Sequence, residues 1–128
     1  MMNKYEIQVD GTTYIVDGIS YEYSQLDGDS AGRSEDGTMY RDVIGLTNKV
    51  SCDFKDKDKW RGAMLSNLLK LVEKTSCSFN YYDIKANARV TKNMYVVADA
   101  IKIILINDEP ILENDIQIRF IQMNVDDI

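Results

Sequence analysis

The sequence predicts an α+β protein that is mainly antiparallel β, a β-sandwich or open barrel of about seven to nine strands with one central helix at about 57–74. Two observations carry this. Apolar residues alternate with period two in block after block, the signature of strands with one wet face. Only one stretch has helical periodicity, so strands do not alternate with helices as they would around a parallel sheet.

The elements follow in order. Tyr5, Ile7 and Val9 share one face, Asp10-Gly11 supplies a two-residue hairpin turn, and Thr12, Tyr14 and Val16 return. Ile19, Tyr21 and Tyr23 then alternate with Ser20, Glu22 and Ser24 as a third strand. From Tyr40 the pattern resumes, with Leu46, Val50, Cys52 and Phe54 in one parity, broken by Asn48. For the helix, Asp56 or Asp58 is a candidate N-cap, and Trp60, Met64, Leu65, Leu68, Leu69, Leu71 and Val72 form a broad apolar stripe. Lys70 and Lys74 sit near its C-terminal end, where the helix dipole favours cations. Further strands are expected at Cys77 to Asp83, Ala88 to Val97, Ala100 to Ile106 and Asp115 to Val125. Asn107 to Pro110 marks a turn, with the only proline placed outside a ladder. The run Ile101 to Ile106, interrupted only by Lys102, predicts burial on both faces.

The 128 residues suit one domain, 1–128, with an extended loop at about 27–42. A loop of that length inside a compact domain is uncommon and is usually functional or a linker. No apolar run approaches the ~20 residues of a membrane-spanning helix, so no membrane insertion is expected. The N-terminus enters a strand pattern directly and has no apolar signal core, so synthesis in a cytoplasm is expected. Cys52 and Cys77 lie in alternating apolar patterns and could face each other across a core, open to a disulfide; in a reducing compartment, buried free thiols are the expected state. A net charge of −6 opposes specific binding to nucleic acid, which needs a clustered basic face, though along a conduit it would repel nucleic acid from the wall.

The chain has no histidine, which removes the commonest general acid or base and the commonest transition-metal ligand. Gly28-Asp29-Ser30-Ala31-Gly32 has the form of a hydrolase serine, with no histidine to take the proton. Asp27-Gly28-Asp29 opens like a calcium loop with Gly32 at its sixth position, but Ala31 and Thr38 stand where oxygen ligands are needed at the fifth and twelfth. Glu22, Asp27, Glu35 and Asp36 could form a carboxylate pair, yet acidic residues in such a loop are usually solvated. Tyr5, Tyr14, Tyr21, Tyr23, Tyr81 and Tyr82 could stack bases, but a basic groove is missing, and core packing is the expected use. No enzymatic activity, metal or cofactor is expected.

The segment from Gly32 to Gly45 contains Arg33, Asp36, Gly37, Thr38, Met39, Arg41 and Asp42 in the order R-x-x-D-G-T-M-x-R-D, followed by the strand Leu46 to Phe54. It resembles a family of small tail-associated proteins encoded by phages and prophages. The resemblance extends more loosely over most of the chain, with Phe54 where tryptophan is common. It implies a virion or tail-like-particle component, with a fold akin to tail-tube and distal-tail proteins and an extended loop that reaches a neighbour. The loop's own chemistry agrees. Asp36-Gly37 offers a turn, Thr38-Met39-Tyr40 can continue as an extended arm with Met39 as apolar anchor, and Arg33 and Arg41 can pair with carboxylates of an adjacent copy. The same arginines can also bridge to Asp36 and Asp42 within the loop. The candidate subunit-interface residues are therefore Arg33, Asp36, Gly37, Thr38, Met39, Tyr40, Arg41 and Asp42. The expected role is a structural subunit of a tail tube, distal tail or baseplate hub, assembling with copies of itself and adjacent tail proteins. The alternative is a soluble monomeric or dimeric adaptor or assembly chaperone using the same loop.

Overall fold

A computed structural model describes residues 3–27, 32–33, 39–40 and 43–122. Strand β1 (Glu6–Val9) and strand β2 (Thr12–Ile15) form the expected hairpin. Asp10 and Gly11 both have positive φ, 49° and 87°, the geometry of a type I′ turn whose twist matches its strands. β3 (Gly18–Asp27) is longer than the alternation suggested. After it come β4 (Gly32–Arg33), β5 (Met39–Tyr40) and β6 (Val43–Phe54), then helix α1 (Gly62–Val72). β7 (Ser76–Asp83), β8 (Ala88–Ala98), β9 (Ile103–Ile106), β10 (Glu109–Leu112) and β11 (Ile116–Gln122) complete the described chain. The end expected for the last strand, up to Val125, lies outside the described residues.

Seven strands form one antiparallel sheet in the order β2-β1-β7-β8-β11-β6-β3. Its two edge strands, β2 and β3, are consecutive in sequence and separated only by Val16 and Asp17. Three residue steps span at most roughly 11 Å, so the sheet must roll until its edges meet. The backbone records the closure: the Val16 N–H donates to the Tyr5 carbonyl beside β1, and the Asp17 N–H donates to the Asp53 carbonyl of β6. Of the two expected architectures, this is the open barrel.

The inward faces follow from register. Ile116, Ile118 and Phe120 of β11 stand opposite Phe54, Cys52 and Val50 of β6, and all six are buried. Phe79 of β7 stacks on Phe120 with ring centroids 4.0 Å apart. α1 covers this face with Leu65, Leu68 and Leu71.

The helix is shorter than the expected 57–74. Its N-cap is Arg61, extended at φ −138° and ψ 162°, with no side-chain cap; neither Asp56 nor Asp58 serves. Gly62 takes φ +57°, a left-handed value at which glycine avoids the Cβ penalty. Asp56 instead organises the preceding turn, accepting the Asp58 N–H on its side chain and the Lys59 and Trp60 N–H groups on its carbonyl. That turn seats Trp60, fully buried, edge-on to Phe54 at 4.8 Å. Lys74 lies beyond the helix and pairs with Asp10 at 2.9 Å.

Three other expectations are corrected. Asn48 does not break the parity of β6; it is buried at 2% exposure on the same face as Val50. The run Ile101 to Ile106 is not buried on both faces. Residues 100–102 form no strand, and β9 pairs only with β10 in a separate hairpin, leaving Leu105 69% and Ile106 49% exposed. An apolar run marks a strand but not whether a second layer covers it. The turn is confined to Asn107 and Asp108, both at positive φ, and Pro110 lies within β10 opposite Leu105. A two-stranded hairpin leaves outer backbone positions without a ladder, where proline is tolerated.

Candidate assembly surface

The arm grows out of the longest pairing in the sheet. β3 and β6 run antiparallel from Gly18 opposite Asp53 to Leu26 opposite Gly45, and the register then shifts so that Asp27 faces Val43. A bulge of this kind bends the strand and turns the chain where the arm departs. Beyond it, β4 and β5 form their own antiparallel pair, with Gly32 opposite Tyr40 and Arg33 opposite Met39. Three of the candidate residues, Arg33, Met39 and Tyr40, therefore lie on extended backbone in one ladder. Asp36, Gly37, Thr38, Arg41 and Asp42 lie outside the described residues, as do the proposed bridges within the loop. The free edge of β3 carries no ladder among the described residues, and an unpaired edge is a template for a strand of another copy.

The root of the arm is anchored by contacts that sequence patterns did not reveal. The Tyr21 hydroxyl donates to the Tyr82 carbonyl at 2.7 Å, and the Tyr23 hydroxyl donates to Asp83. Both bonds join β3 to the end of β7, which is not its neighbour in the sheet, so side chains close the barrel where no ladder does. Burial, and for Tyr23 then the bond to Asp83, pushes both phenols up to about 12. Beside them, the Asn48 N–H donates to the Gln122 side-chain oxygen at 3.2 Å, deep in the barrel. The signal available for Asn48 was its parity with Val50, Cys52 and Phe54. Glu22, weighed as a catalytic carboxylate, faces Lys49 at 3.8 Å, with both side chains exposed.

A second surface lies against the helix. α1 and the β9–β10 hairpin enclose a groove of about 410 Å³, walled by Leu65, Leu69, Ile103 and Pro110, with Ser66, Lys70, Glu73 and Glu109 as its polar lining. Arg61 bridges to Glu109 at 3.0 Å and holds hairpin and helix together. On the opposite flank, Asp17 gathers the Trp60 indole N–H, the Lys55 and Asp56 amides and the Lys59 ammonium. Cys52 and Cys77 are buried free thiols. Among the described residues, no three acidic or cysteine side chains converge as a metal site, and no helix is long and apolar enough to cross a membrane.

No family model and no curated protein matches the sequence. Among solved structures, it is similar to a chain described as "Tail of empty GTA particle computed with helical refinement, C6 symmetry", with a TM-score of 0.56 at 11% identity. The match covers 98% of this chain and 96% of that one, so the two share a fold from end to end.

Proposed function

We propose that this chain is a non-enzymatic structural subunit of a phage tail or tail-like particle, assembling with copies of itself and with neighbouring tail proteins. The observation that carries the reading is the end-to-end fold likeness to a chain of a particle tail solved with C6 symmetry. Two features of the chain support it: an arm that leaves the sheet through a bulge, and a long strand edge without a ladder partner among the described residues. The likeness of the Arg33 to Asp42 segment to tail-associated proteins points the same way. A contact between different surfaces of two copies is heterologous, and such contacts close into rings or propagate as filaments. In a ring, the net charge of −6 would keep passing nucleic acid off the wall. The subunit is made in the bacterial host cytoplasm and ends in the particle.

Negative-stain imaging with sedimentation velocity on the purified protein tests this reading. Rings or tubes are expected. A species that stays monomeric or dimeric at all concentrations overturns it in favour of an adaptor or assembly chaperone.

A further inference from the structure

We infer that the tip of the β9–β10 hairpin of one copy docks on the β7–β8 turn and the adjoining Tyr23 of a second copy, joining subunits head to tail. The inference rests on the assembly reading and adds to it a contact made by described residues on both sides.

Both surfaces are apolar and exposed. Leu105 and Ile106 stand out on the hairpin, and among the described residues β9 has no ladder partner besides β10. Ile84, in the turn between β7 and β8, and Tyr23, on β3, are exposed in the same way. Contacts join these two into one patch. The Tyr23 hydroxyl bonds to Asp83 beside Ile84, and the Lys85 ammonium lies over the Tyr23 ring at 5.8 Å. Next to them Lys4 lies over the Tyr82 ring at 4.8 Å. Covering exposed apolar groups of both copies at once is the main drive for such a contact.

Charge selects a second copy as the occupant. On the hairpin, Asp108 is exposed and has no ion pair among the described residues, Glu109 shares Arg61 with Asp58, and Lys102 is met by Glu113. Lys70 and Glu73, on the helix side of the groove, offset one another. The tip is therefore acidic. On the receiving patch, Lys4 and Lys85 are exposed and have no ion pair among the described residues. Arg89 lies 4.0 Å from Glu6, Glu22 faces Lys49, and Asp83 is buried beneath the Tyr23 hydroxyl. The patch is therefore basic, on a chain whose net charge is −6. An apolar anchor flanked by complementary charge gives both affinity and register.

Geometry makes the contact repeat. The turn and the hairpin leave the sheet at opposite ends of β8, an 11-residue strand that spans roughly 33 Å. A contact between opposite ends of two copies is heterologous and propagates along one direction, as in a stack or filament. The tip is also preformed: Asn107 and Asp108 both hold positive φ in a tight turn, so docking has little backbone left to order.

The test uses the full chain. Chains carrying Leu105→Cys are co-assembled with chains carrying Ile84→Cys and mildly oxidised; because Cys52 and Cys77 are buried, a disulfide-linked dimer containing one chain of each kind is expected, and none from either kind alone. The protein concentration at half-assembly, read by sedimentation, is expected to rise at least about tenfold for Leu105→Ser and about threefold for Lys85→Glu or Asp108→Lys. Lys85→Glu and Asp108→Lys together in one chain are expected to recover most of that loss, which misfolding could not do. Assembly without the mixed dimer, or with Leu105→Ser as effective as the parent, overturns this contact and leaves the assembly reading intact. Absence of assembly by the unsubstituted protein overturns both.

Discussion

The indole N–H of Trp60 donates a 2.8 Å hydrogen bond to the carboxylate of Asp17, fastening the plug before α1 to the two-residue link that closes the barrel. Burial raises the Asp17 pKa, but the bonds from Trp60, the Lys55 and Asp56 amides and Lys59 outweigh it and hold the carboxyl at about 2, below its ordinary 3.8. A depressed folded-state value means the stabilisation is complete above pH ~4 and is lost as the pH falls toward about 2. Its size is on the order of 2 kcal/mol at neutral pH. Asp17→Asn should therefore destabilise the protein at pH 7 and converge with the parent near pH 2. Urea unfolding followed by the fluorescence of the sole tryptophan measures this, and an equal gap at both pH values would sink the assignment.

Tyr23 and Asp83 make the corresponding fastening at the arm end. Tyr23→Phe leaves one oxygen of a carboxylate that is only 2% exposed without its phenol donor, a loss of about 1–3 kcal/mol. Because the bond ties β3 to β7, amide exchange along Gly18–Asp27 should accelerate more than exchange in β8. Tyr5→Phe, at a half-exposed position, should change stability by no more than about 0.5 kcal/mol. Equal effects of the two substitutions would show that the clasp carries no load.

The parts of this fold that could be read from sequence are those governed by local periodicity. Asp10-Gly11 announced its hairpin because only a few dipeptides tolerate two positive φ values in succession. The alternation in β6 and β11 announced their inward faces. What escaped depends on residues distant in the chain. Trp60 reads as part of a helical stripe, and only the left-handed Gly62 excludes it. Tyr23 meets Asp83 sixty residues away, and no pattern within β3 encodes that. For the loop at 27–42, composition marked the segment, and its described parts, Gly32–Arg33 and Met39–Tyr40, are extended backbone.

The two cysteines, open to a disulfide on sequence alone, are buried separately. Burial pushes the Cys52 thiol far above its ordinary range; burial first, then the charge of Asp10, takes Cys77 up to about 12. At pH 8 a thiol of pKa 12 is ionised in about one molecule in ten thousand. Native protein should thus resist a thiol reagent over hours at pH 8, and both residues should label at once in denaturant. Rapid labelling of the native protein would contradict the burial of both.

Asn48 gives the least intuitive expectation. Among the described residues its side-chain oxygen is buried without a hydrogen-bond partner, while its backbone N–H is already satisfied by Gln122. A buried orphan acceptor costs about 1–3 kcal/mol, and the position alternates with Val50 and Cys52 in an apolar face. Asn48→Val should be neutral or stabilising by up to about 1 kcal/mol in chemical denaturation. A clear loss would mean that the amide's weak 3.5 Å contact to the Tyr81 hydroxyl matters more than the orphan oxygen.

The β9–β10 hairpin separates the energetic roles that its uniform apolar run concealed. Leu112 is fully buried in the core, whereas Leu105, opposite Pro110 in the same ladder, is largely exposed. Removing the Leu112 side chain beyond Cβ deletes core contacts and opens a cavity, so Leu112→Ala should cost about 2–5 kcal/mol. Leu105→Ser removes apolar surface already in water and should lie within about 0.5 kcal/mol of the parent. If Leu105→Ser proved as damaging as Leu112→Ala, Leu105 would have to be covered within the subunit rather than exposed.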